Sequence, residues 1–393
     1  MKKFRLFLIF FIVAASYYFL ATKGTGEFAH DLDYFNPLAR SFLSARLDIP
    51  NPIENHDLSL FNGKWYPYWG PIPAFLLMPP QIIMQRYIPA AYLAIFFGSL
   101  GAVIMYLIIK RIGKEYFNDQ ISEKFVLLIM VFFAFGTSQV YVSTRSGVWF
   151  VSQVVSMVPT LFAFYILIKK KLNLHDFFWA SLFISTNFIN RFSLVFLGIL
   201  LIFRLFESFN FKKLIVSAVP FLFFSIILLF YNYLRFGSIL DTGYLYHNHG
   251  LDTLRFMPFG IMSWQYIPRN LWLIFLELPK LTLWKMQPVL NFNMEAISIF
   301  AVSPVYLGAL LTLGKKIQTK LVIYLWITFL FLLFPLLLLF SPGLVQFGIR
   351  YSLDFSMILI VLAIFGLEGK GNFLIFLATV IAVVANIYSV LIM

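Results

Sequence analysis

LIVSAVPFLFFSIILLFYNYL, residues 214–234, is bracketed by Lys212-Lys213 on one side and Arg235 on the other and holds no charge of its own. A helix needs roughly 17–25 apolar residues to cross a bilayer, so this stretch reads as a membrane span. Similar runs occur at Phe4–Leu20, Ile88–Ile109, Phe125–Thr144, Val148–Ile168, Ile297–Leu313, Leu321–Phe340, Phe355–Leu367 and Asn372–Ile392. A longer run, Phe177–Phe203, is interrupted by Asn187, Asn190 and Arg191, which predicts two short helices meeting at a polar break. The expected fold is all-α, a polytopic transmembrane bundle of about eleven spans forming one domain over residues 1–393.

Composition agrees. Hydrophobic residues make up 61% of the chain and charged ones 12%, against about 25% charged in soluble domains. Forty-nine phenylalanines suit lipid-facing helices and interfacial belts. There is no cysteine, which excludes disulfides and thiolate metal sites. The five histidines form no helical metal motif, so no metal site is expected. The net charge of +13 fits loops that contact anionic headgroups. Nucleic acid is not expected as a partner, because no contiguous soluble basic domain is present.

The predicted cytoplasmic segments are the N-terminus, 110–124, 169–176, 204–213, 314–320 and 368–371. They hold more than half of the 30 Lys and Arg residues in a small part of the chain. That positive-inside bias puts the N-terminus in the cytoplasm and, with an odd number of spans, Met393 outside. The first span has no Ala-x-Ala site after it and reads as uncleaved.

Two segments are too long to be connectors: a first outer loop, 21–87, and a second, 237–296. In the first, Tyr34–Leu47 spaces apolar residues along one helical face with Arg40 and Arg46 opposite, as in a juxtamembrane helix lying in the interface. In the second, Leu271–Leu278 and Leu281–Met286 read as further interfacial helices anchored by Trp272 and Trp284.

Three constellations could carry chemistry. His30-Asp31-Leu32-Asp33-Tyr34 sets three ionisable groups just past the first span. A carboxylate there suits a general base, although acids at a helix end are also ordinary loop charges. In the stretch from Asn55 to Ala74, Asn62-Gly63 signals a hairpin turn. His56, Asp57 and Lys64 are polar candidates there. Trp65, Tyr66, Tyr68 and Trp69 offer flat faces that stack on sugars, or that form an aromatic belt at headgroup level. In Gln346–Asp354, Arg350 stands beside Tyr351 at the outer end of a span, where arginine binds phosphate or snorkels. Arg145 and Arg191 are outer cations too, and Arg235, followed by Asp241, is similar. No phosphate loop or nucleophile elbow is present.

In order along one chain, these segments resemble the GT-C superfamily of integral membrane glycosyltransferases, in particular the protein O-mannosyltransferase and aminoarabinose transferase-like group. The likeness lies in Asp33–Leu47, in Asn62–Tyr66 with Gly70–Ala74, in Asn232–Gly237 and in Phe347–Asp354. It implies an inverting transfer from a polyprenyl-phosphate-linked sugar to a hydroxyl of a glycan, lipid or protein acceptor, on the outer face of the cytoplasmic membrane. It implies a first-loop aspartate as base, Asp31 or Asp33, with Asp33 favoured because it directly precedes the helix. Asp57 is held in reserve for the base or for acceptor binding. Arg350, then Arg191 and Arg145, would hold the phosphate. No cofactor is expected, although some relatives use a divalent ion. The competing expectations are a transporter or flippase of a lipid-linked sugar and a non-catalytic glycan-binding protein. A ligase would share most of these features.

Overall fold

The computed structural model describes residues 2–29, 31–284, 287–293, 295–314, 319–344 and 346–392. His30 and Met286 lie outside the described residues. In chain order the N-terminal half comprises α1 (Lys2–Ala21), α2 (Phe35–Leu43), β1 (Leu58–Phe61), β2 (Lys64–Pro67), α3 (Ile72–Met84), α4 (Ala91–Tyr116), α5 (Glu123–Phe135), α6 (Ser138–Ser143), α7 (Val148–Leu167) and α8 (Leu174–Ser185). Then follow α9 (Gly198–Glu207), α10 (Phe211–Phe236), α11 (Leu251–Leu254), α12 (Ile267–Phe275), β3 (Lys280–Trp284), β4 (Gln287–Asn291), α13 (Ile299–Val302), α14 (Leu307–Leu310), α15 (Lys320–Leu338), α16 (Leu353–Gly366) and α17 (Phe373–Ile392).

Among the described residues, six helices are long and apolar enough to cross a membrane: α1, α4, α7, α10, α15 and α17. Their outer surfaces are oily. Phe4, Phe7 and Phe19 on α1, Leu222, Phe223 and Ile226 on α10, and Phe373 and Leu374 on α17 are all exposed. Soluble monomers rarely expose apolar surface on that scale, so these faces belong in lipid. Helix α16 is the reverse case. Apart from Asp354 and Ser356 near its start it is apolar all round, and every residue of it is buried, which makes it the axis of the bundle.

Other predicted spans are divided. The Phe125–Thr144 run breaks into α5 and α6 at Gly136-Thr137, where Thr137 accepts a hydrogen bond from Gln139 N and starts a new helix. The Ile297–Leu313 run is split into α13 and α14 by a 3-10 turn, Pro304–Tyr306. The Phe177–Phe203 run breaks as its polar residues predict: α8 ends, two 3-10 turns cover Thr186–Ile189 and Phe192–Leu197, and α9 follows. Small residues set the closest helix contacts, as in membrane bundles generally. A Cβ on Gly98 of α4 would collide with Ser143, and one on Gly366 of α16 would collide with the carbonyl of Gly308.

The loops differ from expectation in two places. Within 21–87, the amphipathic segment forms α2, shorter than Tyr34–Leu47, and residues 72–84 form a further helix, α3. At 13 residues, or about 20 Å at 1.5 Å per residue, α3 is too short to cross. Of the Leu281–Met286 segment, residues 281–284 are strand and not helix: residues 280–284 and 287–291 pair as an antiparallel hairpin. The Asn62-Gly63 turn is as predicted. It joins β1 to β2, with φ of 49° and 72° at its two central residues, the conformation that favours this dipeptide in tight hairpins.

Candidate functional site

The two aspartates of the first constellation have different jobs. Asp33 precedes α2, and its Oδ1 accepts the backbone N–H groups of Phe35 and Asn36 at 2.9 and 3.1 Å. Asn36 Nδ2 also donates to it, and Gln81 donates in turn to Asn36 Oδ1 at 2.7 Å. Desolvation raises its pKa against the pull of those hydrogen bonds. Asp33 is thus engaged in starting α2. Asp31 reaches across the bundle instead. Its Oδ2 accepts N–H groups of Ser146 and Gly147 at 3.1 and 3.3 Å. Leu32 O accepts Val148 N at 2.9 Å, so residues 31–32 are clamped to the turn that opens α7, beside Arg145.

Asp57 sits where the two long loops meet. Asp57 N donates to Asn248 O, and Asn248 N donates to Leu58 O at 2.8 Å. The segment around His247 thereby bridges to β1 at Ser59. Asp57 Oδ2 accepts Trp149 Nε1 at 2.9 Å, and Oδ1 lies 3.1 Å from His247 Nε2 and 3.5 Å from His56 Nε2. Desolvation would raise the Asp57 pKa, but the contacts with His247, His56 and Trp149 outweigh it and the net shift is downward. His249 packs against His247 with ring centroids 4.1 Å apart. Burial, with the His247 charge adding to it, lowers the His249 pKa to about 4.

Arg191, Arg350 and Arg145 also differ in how they are engaged. Arg191, in the polar break, is tied to Asp354 by Nε and Nη2 at 3.0 and 2.8 Å, and Gln153 and Ser193 also donate to that carboxylate. It is not free to hold a ligand by itself. Arg350 Nη2 donates to the Tyr351 hydroxyl at 3.1 Å, while its Nε is buried without a partner. The Nη2 of Arg145 is likewise buried and unpartnered, its guanidinium lying 4.9 Å from the Tyr141 ring centre. Tyr351 is flanked by Arg191 and Arg350 at 5.0 and 4.9 Å.

Two tyrosines connect these groups. Tyr141 is within electrostatic reach of Arg145, Arg350 and Asp31. Tyr68 is within reach of Tyr244, Asp57, Tyr351 and Arg350. Asp31, Asp57, His56, Arg145, Arg350, Arg191 and Tyr351 therefore share one end of the bundle. Gly70 holds the aromatic loop there, since a Cβ on it would strike the backbone of Ile189 and Asn190.

No protein-family model, curated protein or solved structure matches the chain.

Lys64, Trp65 and Tyr66 lie elsewhere. Lys64 and Tyr66 line a separate cavity of about 560 Å³ with Arg46, Asp48, Phe42, Phe75, Met78 and Leu234, and Trp65 O accepts Ile49 N at 2.8 Å. The aromatic rings beside the arginines and Asp57 are Tyr68, Trp69 and Trp149 instead, with Tyr68 and Trp69 4.0 Å apart and Trp69 and Trp149 6.1 Å apart. Arg235 is structural: it donates to Pro67 O and Asn232 Oδ1, each at 2.9 Å. Sequence reasoning passed over His247, His249, Trp149 and Asp354. The His-x-His spacing at 247–249 was visible, but its carboxylate partner stands 190 positions away.

Proposed function

We propose that this protein is a membrane glycosyltransferase of the GT-C kind, moving a sugar from a polyprenyl-phosphate carrier to an acceptor hydroxyl on the outer face of the cytoplasmic membrane. The observation that carries the reading is the pair of buried, unpartnered guanidinium nitrogens on Arg145 and Arg350, in reach of the same tyrosine as the Asp31 carboxylate. A buried donor without a partner costs about 1–3 kcal/mol, more for a charged group. An anionic ligand would remove that cost, and arginine suits phosphate through its planar fork.

In this reading Asp31 takes the proton from the acceptor hydroxyl as its oxygen attacks the anomeric carbon. The bond from that carbon to the phosphate oxygen breaks with inversion, and polyprenyl phosphate leaves against Arg350 and Arg145. Fixed cations aimed at a developing charge are commonly the largest catalytic contribution. We assign the base to Asp31 rather than Asp33, because both oxygens of Asp33 accept hydrogen bonds at the start of α2, whereas Asp31 is held through Oδ2 alone among the described residues. Tyr68, Trp69 and Trp149 offer stacking faces for the sugar, and Tyr351 orients Arg350. Counting α5 with α6, α13 with α14 and α16 as one span each, and α8 and α9 as two, completes about eleven spans around the six long helices, with the N-terminus in the cytoplasm.

The test is to incubate purified protein with a panel of polyprenyl-phosphate sugars and follow release of polyprenyl phosphate. Release by wild type, lost in Asp31→Asn and kept in Asp33→Asn, supports the assignment. A flippase would move such a lipid between leaflets of a vesicle without releasing its sugar, and that outcome would replace the enzyme reading.

A further inference from the structure

The junction of the two long loops holds a carboxylate and two imidazoles whose ligand atoms all lie within 4.8 Å of one another: Asp57, His247 and His249. Zinc binds nitrogen and oxygen at about 2.0–2.2 Å, which puts two ligands on one tetrahedral ion roughly 3.3–3.5 Å apart. Asp57 Oδ1 and His247 Nε2, 3.1 Å apart, already stand near that separation. His249 is held by ring contacts with His247 and Tyr244, so a modest side-chain rotation brings it in.

Three further features fit an ion. The His247 side chain is 2% exposed, so its Nε2 is held in a dry setting beside the Asp57 carboxylate. The second oxygen of Asp57 is held by Trp149 Nε1 at 2.9 Å, the kind of outer contact that orients a metal-binding carboxylate. A third imidazole, His56, stands 3.5 Å from the same carboxylate oxygen and is near enough to complete a fourfold set. Two or three imidazoles with one carboxylate suit zinc and its neighbours, whereas magnesium and calcium prefer oxygen throughout.

We propose that Asp57, His247 and His249 bind a divalent transition ion of the zinc type, with His56 or water as the fourth ligand, and that the ion fastens the second outer loop to the first. The fastening matters because the same segment carries Tyr244, whose ring lies 5.2 Å from that of Tyr68, and Tyr68 neighbours Tyr351 and Arg350. The ion acts as a clasp on the outer wall of the site. The inference rests on the cluster alone and stands apart from the transfer reading.

The experiment uses full-length protein without a histidine tag, in detergent, stripped with a chelator and then titrated with zinc. Metal per chain is measured by mass spectrometry of the metal, alongside thermal unfolding. Wild type should take up about one ion per chain and melt higher with it. His249→Ala and Asp57→Asn should each bind zinc at least tenfold more weakly, the scale on which even outer-shell losses act. Cobalt in wild type should give the intense visible absorption of a four-coordinate site. Folded wild type that takes up no zinc, or a His249→Ala, Asp57→Asn double variant that keeps one ion per chain, overturns the proposal. His249 serves only ring contacts, so its variant remains a fair test where Asp57→Asn unfolds. Zinc uptake is read without any sugar donor, so failure of the transfer assay and failure of this one are separate results.

Discussion

The two ends of the bundle handle charge in opposite ways. At the end carrying Arg5, cations are matched. Arg5 meets Glu123 at 2.6 Å and Lys110 meets the same carboxylate at 3.2 Å. Lys169 meets Asp176 at 2.5 Å, and Arg111 donates to Tyr165 O at 2.7 Å. The segments predicted to face the cytoplasm touch one another there: Arg204 donates to the carbonyls of Lys169 and Lys170, and Gly369 packs on Ile121. At the other end Arg145 and Arg350 keep buried guanidinium nitrogens with no acceptor. Arg204 at the first end and Arg235 at the second also bury an unpartnered Nε, but each donates through both of its other nitrogens. The guanidinium groups of Arg145 and Arg350 meet no carboxylate or carbonyl among the described residues, and on the proposed function they are the cations kept for a ligand.

The largest effect expected from breaking that contrast is at the reserved end. Arg350→Ala should lower release of polyprenyl phosphate by about 10²–10³, the usual loss when one donor to a developing anion is removed, with thermal unfolding little changed. Arg145→Ala should act in the same direction. Asp31→Asn should lower the rate by about 10²–10⁴ if it is the general base, and steady-state rates with a soluble acceptor analogue would measure it. An equal loss in Asp33→Asn at full stability would move the base back to Asp33.

Stability effects come next. Asp33→Ala removes the acceptor at the start of α2 and should cost about 1–2 kcal/mol, leaving the rate per folded molecule within a few-fold. Its pH dependence gives a sharper signature. Burial holds the folded Asp33 pKa above its ordinary value of 3.8, so the folded state binds the proton more tightly than the unfolded chain. Stability should therefore fall as pH rises from 3.8 through the folded pKa and level off above it. Asp33→Ala should lose that slope, as followed by thermal unfolding between pH 4 and 8. The smallest effect belongs to the matched end. Glu123→Gln breaks two partly exposed ion pairs and should cost under about 1 kcal/mol, with no change in rate; a large loss of rate there would erase the contrast between the ends.

Much of this was legible in the sequence. The apolar runs mark the long helices, Asn62-Gly63 marks the hairpin, and Asn187, Asn190 and Arg191 mark the break between α8 and α9. Run length alone did not reveal the division at Gly136-Thr137, because an apolar run continues across a cap without losing hydropathy. The β3–β4 hairpin was missed because six residues, Leu281–Met286, are too few to tell a period of two from one of 3.6. The roles of Asp31 and Asp33 could not be separated by spacing, since both stand beside the same helix. What separates them is the direction each carboxylate faces, toward α2 or toward the turn before α7. The Asp57 cluster was out of reach for a related reason: its members come together only when two loops on either side of three long helices, α4, α7 and α10, are folded onto each other.

The most direct test of the reserved end is a binding titration with undecaprenyl phosphate in detergent, comparing wild type, the Arg145→Ala, Arg350→Ala double variant and Glu123→Gln. Saturable binding that is lost in the arginine double variant and unchanged in Glu123→Gln is the predicted result. Folded wild type that binds none of the lipid, or binding that survives loss of both arginines, would contradict it.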